Sequence, residues 1–177
     1  MRRSLAIGIA VLAFSIARPS GAETGAFEPF GAHNGPSGSG LSGAPVGGYA
    51  LSLSADAPVV PLGSPIWVTV ELRPVSGDTM RVLYGSRHSS YQFTIVRRSD
   101  GGVAPPVPND FGVATISGPV CGRVLPAGHS LFGRFQLGEM YAITRPGKYS
   151  VTVVGRPVID CKPVSIESNT ITVTVLP

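Results

Sequence analysis

Thr170-Ile-Thr-Val-Thr-Val-Leu176 places Ile171, Val173 and Val175 on one side of an extended chain and Thr170, Thr172 and Thr174 on the other. Side chains of a strand point alternately to its two faces, so this period of two, rich in β-branched residues, predicts a half-buried strand over 170–176. The same period recurs upstream. Ile66, Val68, Val70 and Leu72 alternate with Trp67, Thr69, Glu71 and Arg73, and Leu51 and Leu53 alternate with Ser52 and Ser54. Phe93 and Ile95 alternate with Gln92 and Thr94, and Tyr149, Val151 and Val153 with Ser150 and Thr152. Leu131, Phe135 and Leu137 share one face, opposite Arg134 and Gln136. The pattern predicts seven strands, at 49–54, 65–73, 79–84, 91–98, 129–137, 148–155 and 170–176. One apolar and one polar face per strand is the signature of antiparallel sheets with one side in water, and seven such strands predict a β-sandwich.

Turn chemistry separates these runs. Ser76-Gly77-Asp78, Asp100-Gly101-Gly102 and Arg145-Pro146-Gly147-Lys148 all fall between strands. Pro presets φ at the second position of a turn and Gly takes a positive φ at the third. The composition agrees: 23 Gly and 17 Pro in 177 residues, with only 14% charged, is poor in helix formers and rich in turn formers. Neither a helix nor an internal repeat is expected.

The layout of Pro65-Ile-Trp-Val-Thr-Val-Glu-Leu72, Tyr91-Gln-Phe-Thr-Ile-Val96, Leu125-Pro-Ala-Gly128 and Pro146-Gly-Lys-Tyr-Ser-Val-Thr-Val153 resembles that of bacterial immunoglobulin-like domains. It is also similar to the layout of the bacterial intracellular proteinase-inhibitor family, which shares the sandwich plan. The resemblance covers 49–176 and implies an all-β, immunoglobulin-like antiparallel β-sandwich of about seven strands. The fold is carried over and the inhibition is not.

The N-terminus argues for export. Arg2 and Arg3 precede an apolar, uncharged run over 5–17, and Ser20-Gly21-Ala22 supplies the small residues of a cleavage site. This is the three-part pattern of a secretory signal peptide over 1–22. The run is shorter than the roughly 20 residues of a membrane-spanning helix, so no stable anchor is expected after cleavage. Ser4-Leu5-Ala6 fits a twin-arginine signal poorly, and no cysteine lies near the cleavage point to carry a lipid. The expected address is periplasmic or secreted. Removing Arg2, Arg3 and Arg18 also brings the formal charge of +4 down to about +1. Binding to a nucleic-acid backbone requires several phosphate contacts from one basic face, and the remaining arginines are scattered, so nucleic acid is excluded as a partner.

Residues 23–48 have no hydrophobic period and are dense in Gly, Ser and Pro, which reads as a flexible leader. Its Phe27 and Phe30 are either incidental or docking aromatics. The remainder, 49–177, is one domain.

Candidate chemistry is sparse. Cys121 and Cys161 are the only cysteines, and an isolated pair in an oxidising compartment predicts a disulfide, with free thiols as the alternative. The bond would close a loop of about 40 residues, worth roughly 4 kcal/mol on the chain-entropy model. Cys121, His129 and Met140 follow the order of a blue-copper ligand set, but the gaps are too long and a strand intervenes. His33, His88 and His129 lack metal spacing, and nothing locates a triad around His88 and Ser89. Carboxylates are scattered, with no general acid–base pair. No cofactor, metal or enzymatic activity is therefore expected. Trp67 lies opposite the Ile66–Val68–Val70 face, either covered by a loop or exposed as a contact residue.

These readings describe an exported, non-enzymatic binding or structural module whose partner is another envelope or extracellular protein. The alternative is a secreted peptidase inhibitor that uses the loop at 99–128. Up-and-down strand parity puts the connections at 74–78, 99–128 and 156–169 at one pole, opposite Arg87, His88, Glu139 and Arg145. Within the long connection, Pro105-Pro-Val-Pro-Asn-Asp-Phe111 is stiffened by its prolines, which makes Val107, Asn109, Asp110 and Phe111 the candidate partner contacts. Two outcomes check the chemistry of the exported protein. N-terminal sequencing should start at Glu23, and alkylation of the native, unreduced chain should find no reactive thiol.

Overall fold

The structure, a computed structural model, describes residues 31–33, 42–76, 79–83, 90–108 and 123–177. The expected signal peptide lies outside the described residues, as do His88, Asn109, Asp110, Phe111 and Cys121. The described strands run in chain order. They are β1 (Gly31–His33), β2 (Tyr49–Ala55), β3 (Val59–Pro61), β4 (Trp67–Pro74), β5 (Met80–Leu83), β6 (Tyr91–Arg97) and β7 (Arg123–Leu125), then β8 (Ser130–Gln136), β9 (Gly147–Gly155), β10 (Val158–Ile159), β11 (Lys162–Pro163), β12 (Ile166–Glu167) and β13 (Ile171–Leu176). The helical turn α1 (Leu137–Met140) follows β8 directly, with the Gln136 side chain accepting from the Glu139 N–H at its start. All seven expected strands are present, each end within two residues of its expected position.

The chain is mostly β, built of several sheets whose main ladders are antiparallel. One is ordered β1-β8-β4-β2. The second carries β6, β9 and β13 side by side, with β3 parallel to β13 at its edge. A third, small sheet is ordered β11-β10-β5-β7. The expected alternation sets the packing. Ile66, Val68, Val70 and Leu72 are buried, as are Tyr149, Val151 and Val153 on β9 and Val173 and Val175 on β13, all in one core. Phe135 of β8 bridges the two large sheets. Its ring meets Tyr91 and Phe93 of β6 edge-on, with centroids at 5.5 and 5.3 Å, the offset that aromatic quadrupoles favour.

A one-residue offset between β12 and β13 joins the sheets along one side. Glu167 lies opposite Val154 and Ile171 opposite Val151, so Ser168, Asn169 and Thr170 face only Thr152 and Val153. One extra residue on one strand is a β-bulge, which bends the chain and re-aims a side chain. Ser168 stays with β9: its N–H donates to the Val153 carbonyl (2.9 Å) and its buried hydroxyl accepts from the Val153 N–H (3.1 Å). Asn169 turns to the other sheet. Its side-chain oxygen accepts from the Leu53 N–H (2.8 Å) and its amide donates to the Leu53 carbonyl (3.0 Å), so one side chain pairs with the edge of β2 as a strand would.

Two expectations change here. Part of the expected leader belongs to the fold. Gly31–His33 pairs with β8, and the Gly43 N–H donates to the Leu51 carbonyl (3.0 Å). A Cβ on Gly43 would stand 1.9 Å from the Glu167 carbonyl oxygen, so only glycine fits this crossing. Composition misleads here because backbone pairing and close approach need no apolar side chains. The poles also differ. β5 belongs to the small sheet and does not count in the parity of the sandwich. The connections 75–90 and 156–170 share one pole, while 56–66 and 137–146 share the other. The long connection leaves β6 at the second pole and enters β8 at the first.

Val70→Ala, Val151→Ala or Val173→Ala should each cost about 2–3 kcal/mol in urea unfolding, from lost transfer energy plus a cavity. Thr172→Ala, on the alternate face of β13, should stay within about 0.5 kcal/mol. Similar losses at Val173 and Thr172 would refute the register. Asn169→Ala should match the valine losses, because it leaves a backbone donor and acceptor of Leu53 without partners.

Candidate functional site

The site begins at the end of β6, where Arg97-Arg-Ser-Asp-Gly-Gly102 reverses the chain. Gly101 takes φ 68°, a conformation costly for residues with a Cβ, and its N–H donates to the Arg97 carbonyl (2.9 Å). Asp100 clamps the turn: its carboxylate accepts from Arg97 Nε (3.0 Å), from Arg97 Nη2 and from the Gly102 N–H (3.1 Å). The Arg97 guanidinium, and then the Gly102 N–H, hold the Asp100 carboxyl below the usual carboxylate range. The ion pair raises Arg97 in turn.

The returning segment then covers the outer edge of β6. Val103 lies opposite Val96, and the Ala104 N–H donates to the Ile95 carbonyl (2.9 Å). Pro105 and Pro106 have no N–H to offer a further neighbour, which blunts the edge. The chain is held instead by the connection after α1. The Ala142 N–H donates to the Pro105 carbonyl (2.9 Å), the Val107 N–H to the Met140 carbonyl (2.8 Å), and Pro106 lies opposite Tyr141. The Tyr141 hydroxyl accepts from the Phe93 N–H (3.1 Å), satisfying another donor on the same edge. Burial pushes the Tyr141 phenol up, while the bond from Phe93 pulls it down. Farther along, the Tyr149 hydroxyl donates to the Arg145 carbonyl (2.6 Å) and pins the turn before β9.

Between these two connections lies an open cleft of about 320 Å³, with Arg97, Asp100, Ala104, Pro105, Arg145 and Tyr149 among its lining. Val107, a predicted contact, is half-buried and is not among the lining residues, while Asn109, Asp110 and Phe111 fall outside the described residues. The proline-rich segment therefore begins at the same end as Arg145 and Glu139, and not at the opposite pole expected from strand parity. The cause is the crossing of the long connection from one pole to the other.

The remaining candidates lie apart from the cleft. Cys161 is exposed at the other pole, in the two-residue turn between β10 and β11, where Asp160 and Cys161 both take positive φ (49° and 62°). Both φ values positive is the turn that matches strand twist, at a conformational cost for residues with a Cβ. Asp160 offsets that cost by accepting from the Tyr49 hydroxyl (2.8 Å) and the Arg81 N–H (3.1 Å). His129 and Met140 sit before and after β8, separated by the length of the strand, so they cannot share one metal. No group of His, Cys, Asp or Glu that could hold a metal occurs among the described residues. Trp67 is half-buried. The Arg134 guanidinium lies 4.5 Å from its ring centre and also pairs with Asp56.

Sequence reasoning missed Asp100, Tyr141 and Tyr149 as organisers of this end. In the sequence Asp-Gly-Gly signals only a turn and Tyr149 only an inward strand residue, because the partners of both are fixed only in three dimensions. No protein-family model matches the sequence, and no curated protein matches it.

Tyr149→Phe should cost about 1–2 kcal/mol in chemical unfolding, the usual worth of a partly buried hydrogen bond. Amide exchange at 142–146 should quicken with it, as expected of a turn that has lost its pin. Unchanged exchange there would show that the hydroxyl does not hold the turn.

Proposed function

We propose that the chain is an exported, non-enzymatic, immunoglobulin-like binding module of the cell envelope or extracellular space, and that it docks a protein partner at the cleft end. The observation that carries this reading is the pinned proline-bearing segment. Residues 102–107 are tied on one side to β6 and to 140–142, and present Val103, 63% exposed, on the other. A contact surface fixed in advance loses little conformational entropy on binding.

Three features support the immunoglobulin-like reading. β2, β4 and β8 form one face and β6, β9 and β13 the other. β3 continues the line of β2 but pairs in parallel with β13. Tyr149 near the start of β9, bonded to the carbonyl four residues upstream, has the form of the tyrosine corner of such sandwiches. The Cys121–Cys161 bond and the signal peptide belong to the same proposal. Arg123 and Ile159 flank Val82 on opposite sides, roughly 10 Å apart by strand spacing. Closure of the disulfide therefore requires the two residues before Arg123 to run toward β10.

Capture from an envelope extract tests the docking end. Val103→Asp combined with Val107→Ser should abolish capture of the protein held by the wild type, with the melting temperature little changed. An equivalent pair at the other pole, Arg81→Ser with Lys162→Ser, should leave capture intact. The reverse outcome would place the docking surface at the wrong end.

A further inference from the structure

The outer edges of β2 and β6 are occupied, by Asn169 and Gly43 in one case and by 102–104 and Tyr141 in the other. The outer edge of β8 is covered along half its length. The Leu137 N–H donates to the Ile66 carbonyl (2.8 Å), in register with the β4–β8 ladder. Backbone groups of an antiparallel strand turn alternately to its two neighbours. Leu131, Gly133 and Phe135 therefore bond to β4, while Ser130, Phe132, Arg134 and Gln136 turn their groups outward. β1, three residues long, takes up Ser130 and Phe132, opposite His33 and Gly31. On that side the Arg134 backbone and the Gln136 N–H face no described residue. The Gln136 carbonyl belongs to the helical turn α1. This open half lies at the cleft end, where α1 leads into 140–142. Because Phe135 packs on Tyr91 and Phe93, a strand added outside β8 stands over the outer side of β6, which 102–107 covers.

We propose that this edge receives an extended segment of the partner protein, which displaces β1 and pairs antiparallel with the whole of Ser130–Gln136. The inference rests on the reading that the cleft end is the docking surface, and it adds the conformation and side-chain pattern of the occupant. Directly opposed residues of a ladder share a face. Residues of the segment opposite Leu131, Gly133 and Phe135 therefore face the core, and those opposite Ser130, Phe132, Arg134 and Gln136 face outward. Gly133 has no side chain, so a large aromatic residue suits the position opposite it. The occupant is thus a strand that alternates polar and apolar residues, with an aromatic at its central inward position. Strand addition takes its affinity from backbone hydrogen bonds and its specificity from alternate side chains. β1 is the tethered competitor, and the longer segment outdoes it by pairing Arg134 and Gln136 as well.

Fluorescence anisotropy of the whole mature protein with the labelled peptide Thr-Val-Thr-Phe-Thr-Val-Thr tests the proposal. The peptide should bind. N-methylation of its third and fifth residues, whose N–H groups meet β8, should weaken it by about tenfold or more, and N-methylation of the second and fourth should not. His33→Pro removes the β1 donor that faces Ser130 and leaves β8 intact, so it should tighten binding severalfold. Excess peptide should also release the captured envelope partner. Equal binding of the two N-methylated peptides would overturn the proposal. So would unchanged affinity in His33→Pro, or a partner that stays held with the peptide bound. A His33→Pro protein that dimerises and excludes the peptide would assign the edge to a second copy and refute it. If the Val103→Asp, Val107→Ser variant loses the partner while the peptide never binds, strand addition is refuted and the docking end stands. If that variant keeps the partner and the peptide does not release it, both readings fall.

Discussion

The Asn169 side chain, paired to both the N–H and the carbonyl of Leu53, is the contact on which the arrangement of the two sheets depends. A β-sandwich holds its faces together by apolar burial, which is strong but does not specify direction. Burial alone would tolerate a slide of one sheet over the other. Two hydrogen bonds of fixed geometry from a bulged residue do not, because a slide would leave the Leu53 groups without partners in a place water reaches poorly. Ser168, one residue earlier, holds the same chain to Val153, so neighbouring residues grip one sheet each. Gly43 then crosses over the Glu167 carbonyl with no room for a side chain, closing the seam from the N-terminal side.

With the seam fixed, strand directions follow, and they decide where the connections emerge. β6 and β8 run the same way, so the chain between them has to travel from one pole to the other. Its first part is spent on the exposed edge of β6. There 102–104 supplies backbone partners, two prolines prevent further pairing, and the Tyr141 hydroxyl takes the Phe93 N–H. An unpaired edge is a hazard for uncontrolled strand addition. In covering it, this segment is brought against the turn that carries Arg145 and creates the cleft. Edge protection and the candidate docking surface are thus two consequences of one path.

The opposite pole is built differently. Short strands from three connections, β5, β7 and the β10–β11 hairpin, form a sheet of their own; Asp160 links the hairpin to β5 through the Arg81 N–H and to β2 of the sandwich through the Tyr49 hydroxyl. Met80, Val82, Leu125 and Ile159 of these strands are buried in the common core, while the side chains of the hairpin tip are exposed.

The sequence by itself determined the class of fold and the inward face of every long strand. A period of two needs no partner to be read, and burial of apolar side chains decides which face turns inward. It also carried a trace of the bulge, since the apolar phase moves from Ile166 to Ile171, an odd step that a straight strand cannot take. Tertiary structure alone decided the rest. That Asn169 reaches Leu53, that Tyr141 finds Phe93 and that β5 leaves the sandwich are pairings between groups far apart in the chain. Each is set by which backbone groups remain unpaired after the sheets have formed, and local pattern holds no record of that. The placement of the proline-rich segment beside Arg145 came from the same source. It followed from the relative direction of two strands in different sheets, which alternation within either strand cannot encode.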